Sequence, residues 1–260
     1  RVCNIRSIMD RWNGRVAVVT GASVGIGAAI CRALVEHGMK VVGAARDVQK
    51  IADLSSELSG QPGSLQAVEC DLRHDKDVMR LFADVQHQYG RIDVCINNAG
   101  LSHNHSLLEG KPEEWREMLD VNVVALCLCT RETIRIMREA NVDHGQIIHI
   151  SSMSGHRVQQ SAPGHFYACT KHAVKALTEG MRQELRDAKS NIRVAAISPG
   201  DVETEFLVRM TGDKAAAKKT YASMNHLQAS DIAESVLYIL QQPPHVQIHD
   251  VLIRPTEQQD

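Results

Sequence analysis

The sequence predicts an α/β fold of the doubly wound kind, a single domain on a seven-stranded, mostly parallel sheet with helices on both faces. Three observations carry that prediction. Short β-branched runs alternate with amphipathic stretches along the whole chain. Most stretches between the runs are long enough for helical crossovers between parallel strands. A glycine-rich turn directly follows the first run.

The first strand is residues 15–20 (RVAVVT), and the turn after it leads into a helix over 28–37 that Gly38 can end. The second strand, 40–45 (KVVGAA), precedes a helix over 48–59, stopped by Gly60, Pro62 and Gly63. A third strand over 65–70 runs into Asp71. Val78, Leu81, Phe82 and Val85 recur at helical spacing and predict a helix over 75–89. The fourth strand, 92–96, ends at Asn97-Asn98-Ala99-Gly100. A long helix from about 112 to 141 is expected to contain a break. A fifth strand over 147–150 and a helix over 167–188 follow, then a sixth strand over 192–197 stopped by Pro199-Gly200. The last helix spans 231–241, and a closing strand is expected over 246–254. No linker, repeat or low-complexity tract divides 11–260, whereas 1–10 reads as a disordered extension with no signal-peptide pattern. Met9 resembles a natural start, which makes the first eight residues a candidate translated upstream scrap.

The composition of the 260 residues, 43% hydrophobic and 23% charged, is that of a folded globular domain and excludes a disordered or collagenous chain. The best apolar stretch, 121–129, is about half the roughly 18 residues of a membrane span and contains Asn122, so no span is expected. A net charge of −2 without a long basic run offers no footprint for nucleic acid or an anionic membrane. Seven cysteines, Cys3, Cys31, Cys70, Cys95, Cys127, Cys129 and Cys169, occur without a CxxC pair. They read as reduced, buried thiols of a cytoplasmic protein. The thirteen histidines show no zinc spacing, and His103 and His105 in one loop do not make a metal site, so no metal is expected.

In a doubly wound sheet, ligands bind at the carboxyl ends of the strands, where strand order reverses. The turn at 20–27 (TGASVGIG) sits there, with Gly21, Ser23, Val24, Gly25, Ile26 and Gly27 placed to cradle a pyrophosphate at a helix N-terminus. Glycines also make plain turns, but this position between first strand and first helix points to a dinucleotide. After the second strand, Ala45 stands where a carboxylate would select an unphosphorylated ribose, and Arg46 follows. A guanidinium there either is solvated or pairs with a 2′-phosphate, and the second reading predicts NADP(H). Asp71 and Leu72 are placed to contact the adenine, the Asp71 carboxylate accepting from its amino group.

Tyr167 and Lys171 are four apart at the start of a helix and share one face. A phenol ordinarily titrates near pH ~10, and an adjacent ammonium favours its ionised form. Tyr167 is therefore the expected general acid and base, lowered by Lys171. Ser151 and Ser152 offer a hydroxyl to a substrate oxygen. Asn122 is either a satisfied core amide or N-cap, or a helix break whose freed carbonyl binds a water linking Lys171 to solvent.

Together TGASVGIG at 20–27, NNAG at 97–100, Asn122, ISS at 150–152, YACTK at 167–171 and SPG at 198–200 resemble the short-chain dehydrogenase/reductase family, Rossmann-type oxidoreductases. The resemblance covers nearly all of 15–255. It implies that Ser152, Tyr167 and Lys171 form the catalytic triad with Asn122 as fourth member. It also implies that Asn98, Ala99 and Gly100 support the central strand and ribose, and that Lys171 holds the nicotinamide ribose. Pro199 and Gly200 would border the nicotinamide, with Val202, Glu203 and Thr204 at its carboxamide. The family's usual spacing would select Ser154, but the end of the ISS strand selects Ser152. SGHRV at 154–158, ALTEGMRQELR at 176–186, SPGDVETEF at 198–206 and RPTEQ at 254–258 are similar to an NADP-linked subgroup. Its members, which include insect farnesol dehydrogenases, act on lipophilic alcohols and ketones such as isoprenoids and steroids, as carbonyl or ketosteroid reductases in the reverse direction.

The expected activity is thus NADP(H)-dependent hydride transfer to or from a small lipophilic alcohol or carbonyl, by a homodimer or homotetramer. Two alternatives stay open: reduction of 3-oxoacyl thioesters, and a non-catalytic NADP(H) sensor. Residues 205–227 either pack as a surface helix pair or form a substrate lid, with Phe206, Leu207, Met210, Tyr221 and Met224 lining a pocket and Lys214, Lys218 and Lys219 facing water.

Overall fold

A computed structural model describes residues 9–160 and 162–259. The reading of the first eight residues, Cys3 included, lies outside the described residues.

Seven parallel strands form one sheet in the order β3-β2-β1-β4-β5-β6-β7. They are β1 Val16–Thr20, β2 Lys40–Ala45, β3 Ser64–Glu69, β4 Val94–Asn97, β5 Gln146–Ile150, β6 Arg193–Pro199 and β7 Asp250–Ile253. The order reverses between β1 and β4, which pair directly, Val18 opposite Cys95. β1, β4, β5 and β6 are buried along their length, as a parallel sheet covered on both faces requires.

One face of the sheet packs on α1 (Gly25–Glu36), α2 (Val48–Glu57) and α9 (Ala229–Gln241). The other packs on α3 (Asp75–Tyr89), α5 (Ala125–Glu139) and α6 (His165–Asp187). Ile30, Leu34 and Ile239 anchor the first layer, and Phe82, Ile136 and Ile147 the second. Full burial of each such side chain is worth about 1.5–3 kcal/mol. The predicted span of α3 is the observed one, with Gly90 at φ +68° as its C-cap. The predicted helix over 28–37 starts three residues earlier, because Gly25 can take φ +56° and turn the glycine loop directly into α1.

Two other expectations need correction. The long helix is α4 (Pro112–Leu119) and α5 joined by a π-helical turn, Asp120–Val124, so the break at Asn122 is a widened turn within a continuous rod. The closing strand is only β7, four residues long. Before it, the Gln247 side-chain amide donates to the Val194 carbonyl, occupying an acceptor on the neighbouring β6 segment.

After β6 the chain forms two short helices, α7 (Phe206–Thr211) and α8 (Lys214–Tyr221), divided by Gly212 at φ +70°. Asp213 caps α8 by accepting from the Ala215 and Ala216 N–H groups. No helix among the described residues is long and apolar enough to cross a membrane.

Candidate active site

A cleft of about 840 Å³ runs over the carboxyl ends of the strands, from the glycine turn at the β1/β4 reversal to the start of α6. Gly21, Ser23, Val24, Gly25 and Ile26 line its floor. The turn is drawn tight by β4: the Asn98 side-chain amide donates to the Thr20 carbonyl at 2.9 Å and the Gly21 carbonyl at 3.1 Å. The Thr20 hydroxyl accepts from the Asn98 and Ala99 N–H groups at 3.1 and 3.2 Å. A Cβ on Gly21 would stand 2.9 Å from the Ala99 Cα, and one on Gly27 only 2.2 Å from the Gly21 carbonyl oxygen. Gly27 therefore lies beneath the cleft wall, where it lets α1 approach the turn.

Arg46 is exposed at the end of β2 and, with Asp47, Asp71, Leu72 and Arg73, lines the far end of the cleft. The Asp71 carboxylate, which lines the cleft, accepts from Arg73, two residues on, through the backbone N–H at 3.1 Å and Nε at 2.9 Å. That pairing, helped by the field of Arg46, holds the Asp71 carboxyl down at about 2. Arg73 also reaches Glu117 of α4 at 3.2 Å, and Glu117 pairs with His103 at 2.8 Å. His105 pairs with Glu114 at 2.6 Å, so both histidines fasten their loop to α4. Among the described residues no three His, Cys, Asp or Glu side chains gather as metal ligands.

At the near end, β5 delivers Ser151 and Ser152. Ser151 turns inward, and its buried hydroxyl has no partner among the described residues. Ser152 faces the cleft, accepts from the Ser154 N–H at 3.1 Å, and lies against Tyr167. α6 presents Tyr167 and Lys171, with the Lys171 Nζ 5.5 Å from the centre of the phenol ring. Stacking of Phe166 on Trp115, 5.4 Å between ring centres, ties the start of α6 to α4. The Lys171 Nζ donates to the Ile150 carbonyl at 2.9 Å.

The expected lowering of Tyr167 by Lys171 is reversed in this structure. Burial raises the Tyr167 phenol above its ordinary value, and the Ser152 hydroxyl works against that rise. Burial also pushes the Lys171 ammonium down to about 8. Desolvation sets both directions, while the ammonium lies over the ring and donates to the Ile150 carbonyl.

Asn122 is buried behind the cleft and fully used as an amide. Its Oδ1 accepts from the Leu101 N–H, and its Nδ2 donates to the Leu101 carbonyl and the Thr170 hydroxyl. A Cβ on Gly100 would be 3.5 Å from both the Asn122 Oδ1 and the Lys171 Nζ.

Pro199, Gly200, Val202 and Thr204 line the cleft, but Glu203 does not. Its N–H donates to the Leu227 carbonyl and its carboxylate accepts from Gln228, which turns it toward α9. Phe206, Leu207, Met210 and Tyr221 form the roof, with Phe206 5.6 Å from Tyr167 between ring centres. Met224, expected among them, lies outside the cleft, and Lys214, Lys218 and Lys219 are exposed. The sequence reading missed Thr20, Arg73 and Glu117. Thr20 could have been suspected from its place at the head of the glycine turn; the other two carry no local signal. It also took every cysteine as buried, but Cys169 is exposed on α6.

The cleft fits a dinucleotide: the approaches at Gly21 and Gly25 leave bare backbone along its floor, and Gly100 keeps the space beside Lys171 open. The short chain dehydrogenase family model matches residues 15–215. Dehydrogenase/reductase SDR family member 11 of Gallus gallus is 54% identical over 253 residues, spanning 96% of this chain and 99% of that protein. Farnesol dehydrogenase of Aedes aegypti is 44% identical over 250 residues, spanning 95% and 98%. A closed form of serine dehydrogenase complexed with NADP+ superposes with a TM-score of 0.86 at 32% identity, covering 94% of this chain and 96% of that one. A metagenomic short-chain oxidoreductase in complex with NADP gives 0.77 at 33% identity, covering 95% and 99%. With a family match over most of its length and relatives aligned end to end, the chain belongs to the short-chain dehydrogenase/reductase family, oxidoreductases that act on CH–OH groups with a nicotinamide dinucleotide.

Proposed function

We propose that the protein is an NADP(H)-dependent alcohol dehydrogenase and carbonyl reductase for lipophilic substrates, with Tyr167, Lys171, Ser152 and Asn122 as its working residues. One observation carries the reading: a single cleft joins the glycine turn and Arg46 to Ser152 and Tyr167 beneath an apolar roof. The relative named farnesol dehydrogenase and the NADP-bound neighbours support the substrate class and the cofactor.

Gly21, Ser23, Val24, Gly25 and Ile26 would hold the pyrophosphate, Arg46 the 2′-phosphate, and Asn98 to Gly100 with Lys171 the nicotinamide ribose. Pro199, Gly200, Val202 and Thr204 would border the nicotinamide, which supplies or accepts the hydride when bound. Ser152 orients the substrate oxygen by its hydroxyl. Tyr167 moves the proton: with its pKa raised, the phenol is protonated at neutral pH and ready to donate to a carbonyl oxygen. Alcohol oxidation needs the opposite state, so positive charge from Lys171 and an oxidised nicotinamide must then favour phenolate. Asn122 holds the Leu101 backbone and α6 in place, and the π-helical turn around it would free a carbonyl to seat a water beyond Lys171. The roof, residues 205–227, excludes water as a lid, and helices α5 and α6 pair copies into a homodimer or homotetramer.

The test is the initial rate of NADP+ reduction with farnesol, beside NAD+ at equal concentration, in wild type and Tyr167→Phe. Turnover favouring NADP+ that vanishes in the variant is expected. Turnover that persists in Tyr167→Phe refutes the assignment of the acid–base residue; a preference for NAD+ refutes that of the cofactor.

A further inference from the structure

Below the cleft, His149 of β5 is buried at 1% exposure, and no step proposed above uses it. Its Nδ1 lies 2.9 Å from the Thr178 hydroxyl of α6 and its Nε2 3.2 Å from the Thr130 hydroxyl of α5. The protons can be counted. Thr178 gives its hydroxyl proton to the Val174 carbonyl at 2.8 Å, and in that state it accepts from the ring. The ring proton is then on Nδ1 and Nε2 accepts; the opposite tautomer needs only the two threonines to exchange roles, since Thr130 likewise donates to the Leu126 carbonyl. Thr130 accepts from the Asn97 side-chain amide at 2.9 Å. It can turn its own proton from the Leu126 carbonyl, 2.7 Å away, to His149. The Leu126 carbonyl loses little, because as an interior helix carbonyl it also accepts the backbone N–H four residues on.

The result is a hydrogen-bonded chain of Asn97, Thr130, His149 and Thr178, crossing β4, α5, β5 and α6. The same four elements carry the working end of the cleft. β4 leads into Asn98 to Gly100, the turn before α5 holds Asn122, β5 leads into Ser152, and α6 bears Tyr167 and Lys171. The residue after His149 is Ile150, whose carbonyl receives the Lys171 ammonium. Burial and the nearby Lys171 charge hold the His149 imidazolium down to about 3, so the ring stays neutral, with one nitrogen a donor and the other an acceptor. A simpler core would place an apolar residue here, as Ile148 and Ile150 do on either side. A buried polar group is favourable only when every partner is supplied, and here each one is.

We propose that His149 is a positioning residue for catalysis: its neutral ring fixes α6 against β5, so that the Ile150 carbonyl holds Lys171, and hence Tyr167, in register with Ser152. The inference rests on the functional reading above. Its own signature is a fall in kcat that exceeds any change in cofactor affinity, since the glycine turn and Arg46, which would hold the phosphates, lie on β1 and β2, and only the ribose contacts lie on the elements the chain ties together.

The experiment compares His149→Leu, His149→Gln and Thr178→Val with wild type, reading farnesol turnover, KM for NADP+, and NADPH binding by fluorescence. Thr178→Val removes the acceptor and keeps the shape, so the test survives if His149→Leu does not fold. A displacement of reacting groups by about 1 Å can cost on the order of 100-fold in rate. The expected result is a fall in kcat of about tenfold or more in the Leu and Val variants, with NADPH binding and KM for NADP+ changing by a clearly smaller factor. Glutamine, which can donate at one end and accept at the other, should recover most of the rate. The proposal is overturned by unchanged kcat, by loss of NADPH binding in step with the rate, or by a Gln variant no better than Leu. Tyr167→Phe, run alongside, separates the two readings: turnover surviving there defeats the acid–base assignment, whatever His149 shows.

Discussion

The choice between Ser152 and Ser154 can be decided by two single-atom deletions. Ser152→Ala removes the hydroxyl that lies against Tyr167 and also accepts from the Ser154 N–H at 3.1 Å. Loss of a helix-capping oxygen of that kind costs about 0.5–2 kcal/mol in stability. Here the lower end applies, because the turn it caps, Met153–Gly155, has three residues. Loss of a donor to the reacting oxygen costs far more in rate, on the order of 100- to 1,000-fold, or about 2.7–4 kcal/mol of barrier. Ser154 serves the turn through its backbone N–H, which alanine keeps, so Ser154→Ala should stay within about twofold of wild type. The assay is the initial rate of NADPH formation with farnesol, alongside a thermal melt of each variant. A collapse in rate in Ser152→Ala with a melt shifted by only a few degrees is expected. If Ser154→Ala lost more activity than Ser152→Ala, the placement of the working serine at the end of β5 would be wrong.

Further outcomes follow from the same geometry. Gly27→Ala forces a Cβ to within 2.2 Å of the Gly21 carbonyl, an overpacking that should cost about 1–3 kcal/mol or more, seen as a lowered melting midpoint and weaker NADPH binding. Arg46→Ala should raise KM for NADP+ by about tenfold, the low end for a charge-assisted contact at an exposed site, and leave KM for NAD+ unchanged. Lys171 titrates at about 8 when folded and at 10.5 ordinarily, so between these values the unfolded chain binds the extra proton. Stability should therefore gain from this group as pH rises through that window. Denaturant midpoints of wild type minus Lys171→Met, followed from pH 8 to 10.5, should rise; a flat difference would refute the buried ammonium.

The strands and most helices were legible in the sequence because a fully covered parallel sheet writes itself as separate apolar runs, and α3 announced itself through Val78, Leu81, Phe82 and Val85. The start of β7 was not, since Gln247 is polar only in its tip and replaces strand pairing by a side-chain bond no pattern encodes. The site motifs fixed which residues meet but not their states. Spacing placed Lys171 beside Tyr167, yet the sign of the Tyr167 shift depends on desolvation and on the Ile150 carbonyl, both tertiary facts. Arg73 turning back onto Asp71, and Glu203 turning away toward Gln228, are decided by neighbours 25 to 44 residues away in sequence as much as by local order. His149 alternates with isoleucines like any strand residue, and only its two threonine partners distinguish it.

The π-helical turn at Asp120–Val124 also acts as a phase corrector. Met118, Asn122, Leu126 and Thr130 are all buried, at a constant interval of four residues. On an unbroken α-helix each such step overshoots a full turn by about 40°, so Thr130 would be swung about 120° from Met118. One extra residue in the rod absorbs about 100° of that swing and leaves roughly 20°. Asn122 and Thr130 can then point at the same wall, one clasping Leu101 and Thr170 and the other bridging Asn97 to His149. Forcing the same residues into a regular α-helix, without removing one, would swing these two polar anchors about 80° apart.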